Sequence, residues 1–154
     1  MLKPAILYKD EIKQKFSEVI YSKDYFLYEG YAHGHELPQI DSKDNIYQWA
    51  IVSKNKVIGW FAYRIEPETD TVYNFGLYSF DRGNCIIGKD VFNKMNELVR
   101  RYRRIEWRVI GGNPVIKHYD KFCKRHNGNK ITLHKVAKAP DGDYRDEHIY
   151  EIIR

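Results

Sequence analysis

The residue pattern predicts an α/β chain of the α+β type, with a mixed, mostly antiparallel central sheet flanked by helices. Two observations carry that expectation. Between Ile46 and Phe80, β-branched and aromatic runs follow one another with only short polar turns between them, as in an antiparallel meander. Beyond Phe80, helical and strand periods alternate, and the chain closes on two further strand-like runs.

Residues Lys9 to Tyr21 place Ile12, Phe16, Val19 and Ile20 at helical intervals among Lys, Glu and Gln, which predicts an amphipathic first helix. Ser22 to Asp44 is rich in Tyr, Gly and His and reads as an irregular region with one short helix, suited to a substrate-binding loop. Ile46 to Ser53 and Val57 to Glu66 predict a hairpin around Lys54, Asn55 and Lys56. A third strand, Thr71 to Phe80, follows the turn from Pro67 to Asp70.

Gly88 to Tyr102 carries Val91, Phe92, Met95, Leu98 and Val99 on one helical face and predicts the best helix of the chain. Ile105 to Ile110 reads as a strand, broken by the run from Gly111 to Pro114. Val115 to His126 has Ile116, Tyr119, Phe122 and Cys123 at helical spacing. Asn127 to Asn129 ends that helix. Lys130 to Ala137 and Tyr144 to Ile153 close the chain as a hairpin around the turn from Pro140 to Gly142.

At 154 residues and 43% hydrophobic, the chain has apolar mass for one core, so residues 1–154 are expected to form a single domain. Its 26 Lys and Arg against 21 Asp and Glu give a formal net charge of +5, a mild excess that does not by itself choose among phosphates, acidic substrates and nucleic acid. Apolar runs are short and the start of the chain lacks an apolar leader core, so no membrane partner is expected and the expected location is cytoplasmic. Cys85 and Cys123 stand far apart with no zinc-ligand spacing. His33 and His35 lack a third ligand at a recognisable distance, so no metal is expected.

The element order, together with the segments Leu77 to Lys89 and Gly112 to Phe122, resembles the GNAT N-acetyltransferase family over nearly the whole chain, and is similar to members from phages and gut bacteria. The resemblance implies a GNAT-like fold, acetyl-CoA as co-substrate, and transfer of its acetyl group to a primary amine of an unidentified acceptor, a small molecule or a protein lysine or N-terminus. The family's Gln/Arg-x-x-Gly-x-Gly turn is represented by Arg82 and Gly83 and then Gly88, with Ile86 where the first motif glycine would fall. Leu77, Tyr78, Ser79, Arg82, Gly83, Asn84, Ile87, Gly88 and Lys89 are thereby candidate cofactor-binding residues. A glycine turn opening a helix suits a pyrophosphate physically, because it offers free N–H groups at the positive end of the dipole. Glycine also shapes strand-to-helix turns with no ligand at all.

The resemblance further implies that Asn113 reaches the pantetheine arm and that Tyr119 protonates the departing thiolate. A tyrosine that merely packs on the sheet is the bland alternative in a chain with 13 of them. No Glu stands on the third strand where many members keep a base. Glu36, His33, His35, Asn74 and Glu66 are the candidates for that side, and Tyr21, Tyr25, Phe26, Tyr28 and Tyr31 for an acceptor wall.

Two other readings stay open. One is a catalytically inactive GNAT-like binding module. The other is a basic nucleic-acid-binding protein, prompted by the five arginines between Arg100 and Arg108. Arginines at a helix end more often satisfy carbonyls and the dipole, which weighs against nucleic acid. A homodimer through the final hairpin also stays open.

Overall fold

The computed structural model describes residues 1–29, 36–41 and 45–154. Strands β1 (Leu2–Pro4), β2 (Ile46–Ser53), β3 (Lys56–Glu66), β4 (Thr71–Ser79), β5 (Arg104–Ile110), β6 (Asn129–Lys138) and β7 (Tyr144–Ile153) form one sheet in the order β1-β2-β3-β4-β5-β7-β6. All neighbours are antiparallel except β4 and β5. Helices α1 (Lys9–Val19), α2 (Phe26–Glu29), α3 (Cys85–Arg101) and α4 (Ile116–Arg125) flank it. Among the described residues no helix is long and apolar enough to cross a membrane.

The β2–β3 connection is a tight hairpin turn. Lys54 and Asn55 take φ of 48° and 61°, the left-handed pair that matches the twist of the flanking strands. Strand β1 carries no alternation in its three residues and was not foreseen. It pairs Leu2 with Ile51 at the sheet edge, where Pro4 needs no N–H for the ladder.

Each helix face of the sequence finds a matching sheet face. Val91, Met95 and Leu98 of α3 and Tyr119 and Phe122 of α4 pack with Phe61, Val72, Trp107 and Tyr150 on one side. Ile12 and Phe16 of α1 pack with Ala50, Val57 and Tyr78 on the other. Each large apolar side chain so buried contributes about 1.5–3 kcal/mol.

Strand β4 does not keep strict alternation. Against β3, Ala62 pairs with Gly76 but Arg64 pairs with Tyr73, so β4 carries one extra residue, and Asn74 inside it has φ 53°. This bulge reverses the facing of the strand, which is why Val72, Phe75 and Leu77 all serve the α3 side while Tyr78 faces α1.

Candidate functional site

The sheet tears open between β4 and β5, the one parallel pair among the described residues. Strands β4 and β5 are joined at Thr71 with Arg104 and at Val72 with Ile105, and then diverge. Each stays bonded on its far edge, β4 to β3 as far as Ser79 and β5 to β7 as far as Ile110. The Asn74 bulge follows directly on the last shared pair and bends β4 away. Backbone groups along the opening therefore lack strand partners. The Phe80 N–H donates to Ile58 O at 2.9 Å, so alternation turns the Leu77 and Ser79 N–H groups toward the gap. On the α3 side, Phe75 of β4 meets Trp107 of β5 edge to face, with centroids 6.3 Å apart.

At the wide end of the gap, residues 80–84 turn the chain into α3. The helix expected from Gly88 begins at Cys85 instead, because Asn84 caps it: its side chain accepts from the Ile86 N–H at 3.0 Å. Gly88 therefore sits in the first helical turn, and a Cβ there would meet nothing within 4 Å. Gly83 takes φ 85° and is exposed, as a left-handed turn residue should be. Lys89 points to solvent, whereas the Ile87 side chain is 6% exposed and belongs to the core, leaving only its backbone for a ligand. Asn84 also donates to Asp81 Oδ2 at 2.8 Å, which puts a carboxylate beside the turn.

Arg82 is already engaged. Its Nη1 donates to Asp24 Oδ2 at 2.8 Å, and its guanidinium lies 5.8 Å from the centre of the Tyr28 ring. The bond to Asp24 raises the Arg82 pKa further above its ordinary value. Tyr78 is 3% exposed and its ring packs against Tyr25, Tyr28, Phe16 and Phe80, so its side chain belongs to the α1 face rather than the gap. Leu77 and Ser79 are half-buried on the opposite alternation.

At the far lip of the gap, β5 ends in a turn held by Asn113. This side chain is 8% exposed; it donates to Leu27 O at 3.1 Å and accepts from the Val115 N–H at 3.0 Å. It thus ties α2 to the start of α4 and keeps one amide hydrogen uncommitted. Tyr119, on the inner face of α4, meets Trp107 at 5.7 Å, Tyr150 at 5.9 Å and Phe92 at 6.0 Å between centroids. Burial alone pushes its phenol well above the usual tyrosine pKa, with no hydrogen bond or charge opposing it.

Of the residues expected at an acceptor wall, Tyr25 and Tyr28 pack on Tyr78 and Phe26 packs on the end of β5. Tyr21 is 79% exposed. Tyr31, His33 and His35 lie outside the described residues. Glu36 and Asn74 are exposed. Glu66 pairs with Thr71 at the closed end of the gap, about 25 Å of strand from the α3 turn. Among the described residues no three His, Cys, Asp or Glu side chains gather where a metal ion could be held.

The arginine run is used locally. Arg100 donates to Asn96 O, Arg101 lies over Tyr102, Arg103 donates to Thr69 O, Arg104 pairs with Glu106 and Glu151, and Arg108 faces Glu147 at 3.7 Å.

No protein-family model and no curated protein matches this sequence. Solved structures do match in shape. An N-acetyltransferase from Staphylococcus aureus Mu50 superposes with TM-score 0.69 at 16% identity, over 99% of this chain and 97% of that one. The microcin C7 self-immunity acetyltransferase MccE, solved with acetyl-CoA and AMP, gives 0.67 at 18% identity, over 99% and 91%. The fold is that of the GNAT acetyltransferases. A Salmonella typhimurium acetyltransferase that modifies the N-terminal serine of ribosomal protein L7/L12 also matches, with TM-score 0.53 at 19% identity over 72% of this chain. This chain spans 65% of that protein's length.

At the candidate site within this GNAT fold, the bulge at Asn74 and the side-chain partners Asp24 and Asp81 go beyond what the sequence predicts. The Asn74 bulge had a faint signal, since Val72, Phe75 and Leu77 cannot share a face at period two. Asp24 had none, because its partner Arg82 is 58 positions away. Asp81 had a local signal, since an Asp three positions before a helix-capping Asn places the two side chains within reach.

Proposed function

We propose that this protein is an acetyl-CoA-dependent N-acetyltransferase acting on a primary amine. The observation that carries the reading is the opening between β4 and β5, whose unpaired Leu77 and Ser79 N–H groups face a slot bounded by the turn at 80–84 and by Asn113. An extended pantetheine arm can add to such a free strand edge by its amides, as a peptide does. The exposed turn at Gly83 and the open first turn of α3 around Gly88 suit the pyrophosphate, with Lys89 nearby. The acetyl-CoA-bound neighbour of the same fold supports this choice of co-substrate. The neighbour that modifies an N-terminal serine supports an amine as acceptor.

In the reaction, the lone pair of the neutral amine forms the C–N bond to the thioester carbonyl carbon, and the C–S bond then breaks. The amine's proton leaves to solvent or a base, and the Tyr119 hydroxyl gives its proton to the departing sulfur. An N–H on the β4 edge stabilises the carbonyl oxygen as it gains charge. The apolar surroundings that raise the Tyr119 pKa also raise the basicity of the thiolate, so the transfer stays matched.

A GNAT-fold binding module without chemistry is the second reading, favoured by the side-chain cap on Ile86 N–H and by Asp81 beside the turn. Calorimetric titration with acetyl-CoA and CoA, beside a Gly88→Glu variant, tests the first. A Cβ at Gly88 meets nothing within 4 Å, so loss of micromolar binding in a variant whose thermal unfolding is unchanged reports a blocked cofactor site rather than misfolding. No binding to the unaltered protein at millimolar ligand would leave the binding module.

A further inference from the structure

We infer that Asp24 and the phosphate groups of the cofactor compete for Arg82, so that cofactor binding releases the segment carrying α2. The inference rests on the acetyl-CoA reading above. Arg82 stands in the turn between β4 and α3, yet its contacts point the other way, to Asp24 by a 2.8 Å hydrogen bond and to the Tyr28 ring at 5.8 Å. Asp24 and Tyr28 belong to residues 24–28, which line the acceptor side and are otherwise pinned by Asn113 bonding Leu27 O and by Tyr28 against Tyr78 at 4.5 Å; the Arg82 side chain also hydrogen-bonds that of Tyr78.

The bridge is built to be exchangeable. Its two side chains are 54% and 57% exposed, and such pairs contribute only modestly in water. A pyrophosphate at the α3 turn offers the guanidinium more charge and a two-pronged acceptor, so it takes Arg82 from Asp24. Asp24 is in this sense a positioning residue: it holds Arg82 toward the acceptor wall until the cofactor arrives. Linkage makes the effect reciprocal, so weakening the bridge must strengthen cofactor binding by the same factor that cofactor binding weakens the bridge.

The test is calorimetric titration of acetyl-CoA into the full chain and into D24N, R82M and the double variant, all at low salt. The expected result is about two- to five-fold tighter binding in D24N, the range an exposed ion pair supports. Weaker binding is expected in R82M, with no further change when D24N is added to it. Hydrogen exchange of the Leu27 and Tyr28 amides should quicken on adding acetyl-CoA to the unaltered protein and not in R82M. Unchanged or weaker binding in D24N, while R82M still weakens it, overturns the competition and leaves the acetyltransferase reading intact. Equal tightening by D24N with and without Arg82 overturns it too, since the effect would then be the long-range charge of Asp24. No binding by any form overturns both.

Discussion

Tyr150 of β7 lies flat on Trp107 of β5, with ring centroids 5.2 Å apart and planes 8° from parallel, while its hydroxyl donates to Asp120 Oδ1 at 2.7 Å. The same carboxylate oxygen accepts from Lys130 Nζ at 2.8 Å. Removing the hydroxyl therefore leaves Asp120 paired, and Tyr150→Phe should cost about 1–2 kcal/mol. Tyr150→Ala empties a fully buried site and should cost about 3–5 kcal/mol. Urea denaturation of both variants checks the split; equal losses would place the stabilisation in the hydroxyl rather than the ring.

Acid should weaken the fold in two steps. Burial, then the charges of Arg125 and Arg100, lowers the pKa of His126; burial and Lys130 lower that of His148, against the opposing pull of Asp120 and Asp146. A lowered histidine pKa means the unfolded chain binds more protons, so this stability is full above about 6.5 and is lost as pH falls through the folded values. Burial pulls the Asp120 pKa up, but hydrogen bonds from Lys130 and Tyr150 outweigh it and hold the carboxyl below its ordinary range. The Lys135 N–H does the same for Asp146. Their contribution persists above the unfolded carboxylate value and disappears below it. The urea midpoint should be level between about pH 7 and 8, fall below about pH 6.5 and fall again below about pH 4, with His148→Gln shrinking the first step. A midpoint that rises between pH 7 and 5 would contradict this assignment.

Two glycines should respond in opposite directions to alanine. A Cβ on Gly128 would come 2.6 Å from Glu151 O and 2.8 Å from Cys123 Sγ, where the turn after α4 passes over β7. Backbone cannot move aside cheaply, so Gly128→Ala should lose about 1–3 kcal/mol. Gly88, helical and with open space around it, should gain up to about 1 kcal/mol from the same change. Thermal unfolding of the pair decides; a loss at Gly88 as large as at Gly128 would mean the first turn of α3 is packed more tightly than the structure has it.

Most of the sheet was legible because its strands bury one or both faces, and burial writes periodicity into Ile46–Ser53, Lys56–Glu66 and Tyr144–Ile153. The start of α3 lies three residues before Gly88 because the signal that decides it, the Asn84 cap, is a local hydrogen bond rather than a periodic one. The candidate site was legible only as a set of positions. Which way a side chain turns from them depends on distant partners: Asp24 for Arg82, Leu27 for Asn113, and the aromatic wall around Tyr119. The opening of the sheet depends on one bulged residue, Asn74, whose trace in the sequence is the broken period of Val72, Phe75 and Leu77.

Tyr119 carries the sharpest division between chemistry and packing. Its ring is held by Trp107, Tyr150 and Phe92, all of which a phenylalanine would still meet. No protein group is seen bonded to its hydroxyl among the described residues, so removing it leaves no described partner unpaired, and Tyr119→Phe should be neutral or stabilising by up to about 1 kcal/mol. A proton donor to the leaving sulfur is needed only after binding, so affinity for acetyl-CoA should also hold. The turnover number with a competent amine should drop by about 10²–10⁴. Because burial keeps the phenol protonated, the wild-type rate should show no alkaline fall from Tyr119 up to about pH 10. Denaturation, calorimetry and steady-state rates on this one variant separate the roles: an unchanged turnover number would assign Tyr119 to packing alone and move the proton donation to water at the open edge of β4.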